Sequence, residues 1–241
     1  MMLLDLHAHT KEISTCCRIP AAEVLKRAKE AGLDGIVLTN HYQKSYAPDG
    51  DYAAFAQRYI AAYKQAKALG DAMGLRVFFG IEVTMASNTY IHLLVYGVAP
   101  AFLEENPTLF DETPRFLYEK VHAAGGVLVQ AHPFRFGEYL QDTLYLDGVE
   151  ISCHPLYPTG TQRERLTEIA QKDGLLLTCG GDYHADTYRP HCGVYLPDEI
   201  ADGVALGTYL KEAKEIHLLV QEVDGSPAYE VSFPRTARPK E

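Results

Sequence analysis

The sequence has no tryptophan, no C-x-x-C pair, no uninterrupted apolar run long enough to span a bilayer, and no excess of positive charge. Each absence excludes something. A transmembrane helix needs about 20 consecutive apolar residues, and none occurs. The N-terminal MMLLDLHAHT lacks the basic stretch and unbroken apolar core of a secretory signal. Five cysteines, Cys16, Cys17, Cys153, Cys179 and Cys192, are odd in number and irregular in spacing, which excludes a zinc ribbon and a paired redox motif. These features together lead to the expectation of a cytoplasmic protein with no membrane partner. With 22 Lys and Arg against 32 Asp and Glu, the formal net charge is −10. Duplex nucleic-acid binders usually carry a basic stripe, so long nucleic acid is not an expected partner. An acidic protein still handles phosphates when metal ions supply positive charge locally.

Also missing are a Pro/Gly/Ser-rich linker, a low-complexity segment and an internal repeat. What fills the 241 residues is a steady alternation of short apolar runs with helical patterns. The runs MLLDLHAH, GIVLTNH, RVFFGIEVT, YIHLLVYG, GVLVQAHPF, GVEISCH, LLLTCGGDYH, HLLVQEV and AYEVSF are the expected strands. Most are continuously apolar, the signature of parallel strands buried on both faces. Between them, AAEVLKRAKEAG, the long DYAAFAQRYIAAYKQAKALGDAMG, TPRFLYEKVHAAGG, RERLTEIAQKDG and VALGTYLKEAKE carry apolar residues at helical spacing, and the first four stop at glycine. The expected fold class is α/β, a distorted barrel with its active site at the C-terminal ends of the strands. One domain over residues 1–232 and a loose, proline-containing tail over 233–241 complete the expectation.

In such a barrel an ionisable residue closing an apolar run is a functional candidate. LLDLHAH ends in His7 and His9, GIVLTNH in His41, and VLVQAH in His132; FFGIEV contains Glu82, YIHLL carries His92, and LLTCGGDYH ends in Asp182 and His184. Residues i and i+2 of a strand face the same side, so His7 with His9, and Asp182 with His184, each present two groups to one cavity. A single such histidine is more often a hydrogen-bonded core residue than a ligand. Six histidines and two acids in matching positions weigh differently, because buried imidazoles and carboxylates cost several kcal/mol each unless they find partners. Metal ions satisfy many at once. Imidazole and carboxylate donors suit zinc, iron or manganese, and eight donors exceed one ion's coordination number, so two or three divalent ions are expected.

The ordered series DLHAHT, TNH, GIEV, IHLL, AHPFR, GVEIS and GDYH resembles the PHP (polymerase and histidinol phosphatase) family of metal-dependent phosphoesterases, over about residues 3–195. The resemblance implies a distorted (β/α)7 TIM-like barrel with a two- or three-metal centre. His7, His9, Glu82 and Asp182 match one metal's ligands, and Glu82 bridges to a second ion held by His92 and His132. His41 and His184 match ligands of a third. The chain departs from the family pattern after the first motif, where HT-x-x-S-D-G becomes HTKEISTCC and the third-site acid is missing; Cys16 and Glu12 are the candidate replacements. TNH in place of T-D-H puts Asn40 before His41, which keeps a hydrogen-bonding group and removes a charge.

The implied activity is hydrolysis of a small phosphomonoester by metal-activated hydroxide, with Glu82, Asp182, His184 and Arg135 acting at the reacting group. Arg135 follows His132 in AHPFR, and its planar fork suits phosphate oxygens. Arg18, Arg189 and His154 are further candidates for substrate binding, while His191 is placed in a loop near the mouth and His122 and His217 read as structural. Cys153, in GVEISCH, is either a pocket residue or a buried thiol. Tyr42, Tyr46 and Tyr183 flank the motifs and read as packing residues. Three alternatives stand beside this reading: a nucleotide or oligonucleotide phosphodiesterase, an amidohydrolase, which usually needs a lysine at a strand end that this chain lacks, and a metal-binding PHP-like domain without catalysis.

Overall fold

The computed structural model describes residues 1–135, 140–155, 160–185, 191–222 and 226–238. Twelve strands and six helices alternate along them. The strands are β1 (Met2–Ala8), β2 (Gly35–Leu38), β3 (His41–Tyr42), β4 (Arg76–Phe79), β5 (Ile81–Thr84), β6 (His92–Tyr96), β7 (Val127–Gln130), β8 (Gly148–Ser152), β9 (Leu176–Gly180), β10 (Gly193–Leu196), β11 (Glu215–Val220) and β12 (Tyr229–Pro234). The helices are α1 (Ala21–Glu30), α2 (Tyr52–Met73), α3 (Ala101–Glu105), α4 (Pro114–Ala123), α5 (Gly160–Asp173) and α6 (Gly203–Glu212). Their ends follow from local chemistry. The side chains of Asp51, Thr113 and Asp202 accept the orphan N–H groups of Ala54, Phe116 and Ala205 at the starts of α2, α4 and α6. Gly74 stops α2 at φ 69°, a left-handed conformation that glycine adopts without a Cβ clash.

Two six-stranded sheets result, in the orders β12-β11-β10-β1-β2-β4 and β3-β5-β6-β7-β8-β9. They run into each other. β2 pairs with β4 from Gly35↔Arg76 to Leu38↔Phe79, and β3 pairs with β5 at His41↔Glu82 in the same offset, so Thr39, Asn40 and Gly80 are brief interruptions of two long parallel strands. At the other side a parallel bridge joins Ala8 to Tyr183, beyond the end of β9.

The expectation of parallel pairing holds for β1–β2, β2–β4, β3–β5, β7–β8 and β8–β9. It fails for β6, which is antiparallel to both β5 and β7. The reason is connection length: residues 85–91 between β5 and β6 are too few for the crossover of a dozen or more residues that a parallel return needs. β10, β11 and β12 likewise pair antiparallel. The fold is α/β with mixed sheets. β10 and the short α3 are additions to the elements read from sequence.

Leu4, Leu6, Val37, Phe79, Leu94, Val129, Val149 and Leu177 meet in the main core, while Val24, Leu25 and Ala28 of α1 cover Ile36 and Val77 on the opposite face. Each such side chain contributes about 1.5–3 kcal/mol when fully buried. The tail expected to be loose is tied down as far as Arg238: the Arg235 guanidinium donates to the carbonyls of Leu210 and Lys211 at the end of α6, and Thr236 donates to the Gln171 carbonyl at 2.6 Å.

Candidate metal centre

All the strand-end residues singled out above converge at one end of the sheets, where Glu82, His7, His9 and Asp182 are fully buried and His41 and His132 nearly so. The antiparallel course of β6 contributes here. His92 opens its strand rather than closing it, and the reversed direction puts that opening residue opposite Thr84, at the same edge as the strand ends of its neighbours. β9 comes unusually close to β1, since a Cβ on Gly180 would stand 2.4 Å from His7 Cβ and 2.7 Å from a Glu150 oxygen. Only glycine fits there. Asp182 and His132 hold positive φ, 47° and 30°, conformations costing of order 1–3 kcal/mol that persist where the surroundings enforce them, commonly at functional sites.

Hydrogen bonds fix which nitrogen of four rings carries the proton. His7 Nδ1 lies 2.8 Å from Glu150 Oε1. His9 Nδ1 lies 3.0 Å from Ser14 Oγ, whose own proton goes to Asn40 Oδ1 at 2.9 Å. His92 Nε2 lies 3.1 Å from the Thr89 carbonyl, and His184 Nδ1 lies 2.8 Å from the Asp182 carbonyl. Carboxylate, carbonyl and a hydroxyl already spent as donor can only accept, so each of these nitrogens bears the hydrogen. Once a metal has displaced any second proton, the opposite nitrogen of each ring is a lone pair aimed into the centre, the arrangement by which oxygen partners orient metal-binding histidines.

Those lone pairs face other acceptors. His7 Nε2 and His9 Nε2 stand 3.0 Å apart, each 3.1–3.4 Å from Glu82 Oε2 and Asp182 Oδ1. Glu82 Oε1 stands 3.0 Å from His92 Nδ1 and 3.1 Å from His132 Nε2. His41 Nδ1 and Glu82 Oε2 approach to 2.6 Å without hydrogen-bond geometry. Acceptors crowded like this repel one another unless protons or a metal cation lie between them. Ligands at about 2.0–2.2 Å from one ion are separated by about 3.0–3.5 Å in octahedral or tetrahedral geometry, which is the spacing found. The donors therefore fit divalent metal ions.

Among the described residues, four groupings arise at this centre: His7, His9, Glu82 and Asp182; His41, Glu82 and His92; His9, His41 and His184; and His154, Asp182 and His184. Glu82 has its two oxygens turned to different histidine sets, and His41 borders two positions.

The charges are strongly perturbed. Burial opposes ionisation of Glu82, but His41, His7 and His92 outweigh it and hold the carboxyl well below its usual range. Asp182 is lowered against burial by His7, His184 and Arg135. Burial would lower His184 and His41, yet Asp182 lifts the first to about 11 and Glu82 the second to about 9. Burial, with His184 and His41, pushes His9 down. Partial burial raises the Cys16 thiol, while hydrogen bonds with His184 and His41 bring it down to about 6.

Of the substrate candidates, Arg135 reaches the centre but spends Nη1 on Asp182 Oδ2 at 2.5 Å. His154 is buried beside Asp182 and His184. The Arg18 residue is exposed, its backbone N–H donating to the His184 carbonyl at 2.9 Å. Arg189 lies outside the described residues. His191 is turned away, its Nδ1 2.8 Å from the Ala31 carbonyl, and His122 and His217 are engaged with Asp147 and Ser232. Glu12 does not serve the centre: its carboxylate accepts the Ala21 N–H at the start of α1, at 3.2 Å from both oxygens. Cys153 packs against Cys179 with sulfurs 3.3 Å apart, the buried-thiol alternative. Tyr42 and Tyr183 are core residues.

Four residues that shape the centre had no assigned role in the sequence. Glu150 holds His7, Ser14 holds His9, Thr10 pairs with Asn40, and Asp5 accepts the N–H groups of His7 and Gly181. GVEIS and DLHAHT contained three of them, Glu150, Asp5 and Thr10, as motif members, but for the two acids a buried position in mid-strand was the only signal. Asn40 is more than a milder acid, since its Oδ1 receives both the Thr10 N–H and the Ser14 hydroxyl.

Three solved structures share the architecture. A Bifidobacterium adolescentis protein assigned as a metal-dependent phosphoesterase matches with TM-score 0.53 and 17% identity, over 84% of this chain and 93% of that one. PsfC from Pseudomonas syringae gives 0.57 and 17%, over 96% and 90%. A Chromobacterium violaceum amidohydrolase gives 0.54 and 17%, over 81% and 92%. No curated protein sequence matches. At such identities these likenesses establish the fold. The PHP domain profile matches residues 5–175, well over half of the sequence, and the chain belongs to the PHP domain family.

Proposed function

We propose that the protein hydrolyses a small phosphomonoester with two or three divalent ions of zinc, iron or manganese held by His7, His9, His41, Glu82, His92, His132, Asp182 and His184. The observation that carries this reading is Glu82, whose Oε2 faces His7 and His9 while Oε1 faces His92 and His132. One carboxylate turned to two ligand sets would help hold a pair of ions, and such a pair would supply a nucleophile from water and neutralise charge on attacking and leaving oxygens.

The protein's own residues do the rest. Glu150, Ser14 and the Thr89 carbonyl lock the imidazoles, so the centre is organised before substrate arrives. Arg135, whose Nη1 donates to Asp182 Oδ2, brings its planar guanidinium to the centre, a group suited to phosphoryl oxygens. A cleft of about 530 Å³ lined by Lys44, Ser45, Tyr52, Thr84 and Thr89 opens beside His92, within the range for small-molecule sites. That volume and the net charge of −10 favour a small ester over a long nucleic acid. Among the described residues no helix is long and apolar enough to cross a membrane, and all five cysteines are free thiols, which supports a cytoplasmic setting. The seven runs from β1 through β9, joined by the Ala8–Tyr183 bridge, support reading residues 1–232 as one distorted (β/α)7 barrel.

The test is to quantify bound metal in the purified protein and assay an aryl phosphate, a nucleotide diester and a short oligonucleotide with added Mn, Fe or Zn. Two or more equivalents of metal with preferred turnover of the monoester are expected, and Glu82→Gln removes both. Less than one tightly bound equivalent with no turnover overturns the reading.

A further inference from the structure

Away from the histidine and carboxylate centre, one other cluster of ligand-bearing side chains comes together among the described residues: Cys153, Cys179 and Cys192, whose sulfurs all lie within 4.8 Å of one another. They arrive from three places in the chain. Cys153 follows β8, Cys179 lies in β9 and Cys192 precedes β10. All three are buried, and none belongs to the groupings of the other centre. β8 and β9 run parallel, and the Cys153 N–H extends their ladder to the Gly180 carbonyl at 2.8 Å. Cys192 enters from the other sheet, where its neighbour Gly193 pairs with Leu219 of β11. The end of β11 runs beside the sulfurs: Cys179 gives its thiol hydrogen to the Leu219 carbonyl at 3.5 Å, and the Gln221 N–H donates to Cys153 Sγ at 3.4 Å.

A single buried thiol packs as a small apolar group and requires no further account. Three sulfurs gathered from separate strands at the junction of two sheets make a ligand set. Sulfurs bound at about 2.3 Å to one ion stand about 3.8–4.0 Å apart in tetrahedral or trigonal geometry. Cys153 and Cys179, with sulfurs 3.3 Å apart, lie just inside that spacing, and the 4.8 Å limit on the other pairs encloses it.

We propose that Cys153, Cys179 and Cys192 bind one soft metal ion, copper(I), as three thiolates, at a site separate from the histidine and carboxylate centre and independent of how that centre is read. Thiolates favour copper(I) and zinc over manganese and magnesium. Structural zinc sites take four protein ligands, and no histidine, carboxylate or further cysteine joins the three among the described residues, so copper(I) is the better match. Each thiol releases its proton to solvent as its sulfur bonds the ion, so one copper(I) ion displaces three protons and no electrons are exchanged. The Gln221 N–H then supports the Cys153 thiolate. The bound ion ties β8, β9 and the start of β10 together, beside His154.

The experiment uses the full chain, purified anaerobically under reductant and given copper(I) from a competing chelator. One equivalent is expected to bind, with three sulfur neighbours and no nitrogen by X-ray absorption at the copper edge. With free ion a hundredfold above Kd, the melting temperature rises by roughly 5–10 °C. Cys192→Ala lowers copper(I) affinity by more than roughly 100-fold, beyond the 10–100-fold that an outer partner is worth, whereas Cys17→Ala, which removes a buried thiol outside the cluster, leaves it unchanged. Glu82→Gln also leaves it unchanged, which separates this site from the other centre. The absorption measurement on the unaltered protein stands even where a cysteine variant fails to fold. Copper surrounded by nitrogen or oxygen, or an unchanged affinity in Cys192→Ala, overturns the proposal. So does a reduced protein that takes up no copper(I) and forms a Cys153–Cys179 disulfide in air. Zinc held by the same three sulfurs in preference to copper(I) overturns the choice of ion.

Discussion

The Ser14 hydroxyl accepts the Nδ1 hydrogen of His9 at 3.0 Å and passes its own proton to Asn40, so a serine five residues further along the chain decides which nitrogen of His9 faces the metals. Ser14→Ala removes that decision and leaves a buried imidazole N–H without its partner. Partners of this kind are worth 10–100-fold in metal affinity. The expected outcome is an affinity loss of about 10–100-fold for the most tightly bound equivalent, read by competition with a fluorescent chelator. A fold kept intact by circular dichroism shows that the loss is local. An unchanged affinity shows that His9 does not depend on Ser14.

How much of this was legible beforehand differs residue by residue. His7, His9, His41, Glu82, His132, Asp182 and His184 end or nearly end apolar runs, and the strand period of two that makes a run apolar also aims its last residues at a common edge. The reversal of β6 was hidden, because an apolar run reads the same in either direction. His92 reaches the centre by virtue of that reversal. Glu150 was hidden for a different reason: it sits mid-strand with 0% exposure, and its role exists only because Gly180 lets β9 and β1 close in around it. The Ser14–Asn40 contact spans 26 residues and joins two loops, and loop geometry carries no periodic signal.

The raised pKa values of His184, to about 11, and His41, to about 9, set the pH behaviour of metal binding. In the metal-free protein both rings hold a proton at pH 7, supported by Asp182 and Glu82 respectively. A metal must displace those protons, so apparent affinity rises with pH as far as about 9 for His41 and about 11 for His184, by up to roughly tenfold per unit for each proton released. Folding stability of the metal-free protein runs the other way. A pKa raised on folding contributes stability that is complete below the unfolded value near 6.5 and is lost as pH rises through 9 to 11. Chelator competition between pH 6 and 9 and thermal unfolding of the stripped protein between pH 7 and 10 check the two signs.

Asp5 offers a complementary case away from the ligand atoms. Burial raises its carboxyl to about 7, although the N–H groups of His7 and Gly181 pull it down, and its Oδ2 has no hydrogen-bond partner among the described residues. An acid raised on folding is also a group whose stabilising share is lost as pH rises, here between about 4 and 7. Asp5→Asn keeps the accepting Oδ1 and cannot ionise. In the stripped protein the variant matches the original at pH 4 and exceeds it at pH 8, with a melting temperature higher by several degrees. Equal melting temperatures at pH 8 contradict the buried-acid account.

Gly180 is the point where fold and chemistry meet most closely. A methyl group there stands 2.4 Å from His7 Cβ, 2.7 Å from a Glu150 oxygen and 3.0 Å from the His7 backbone nitrogen, and the first and last of these belong to β1 and cannot swing aside. Overpacking of this sort costs about 1–3 kcal/mol, and for a chain of this length each kcal/mol lowers the melting temperature by about 2–4 °C. Gly180→Ala is therefore expected to melt roughly 2–12 °C lower. The same shift drives His7 away from Glu150, so metal affinity falls along with stability. Gly125 provides the control, since a Cβ there meets nothing within 4 Å. Its φ of 82° makes Gly125→Ala destabilising through the backbone alone, so that variant melts lower with metal affinity unchanged. Loss of affinity in Gly180→Ala and not in Gly125→Ala separates the close approach of β9 to His7 from a general loss of stability.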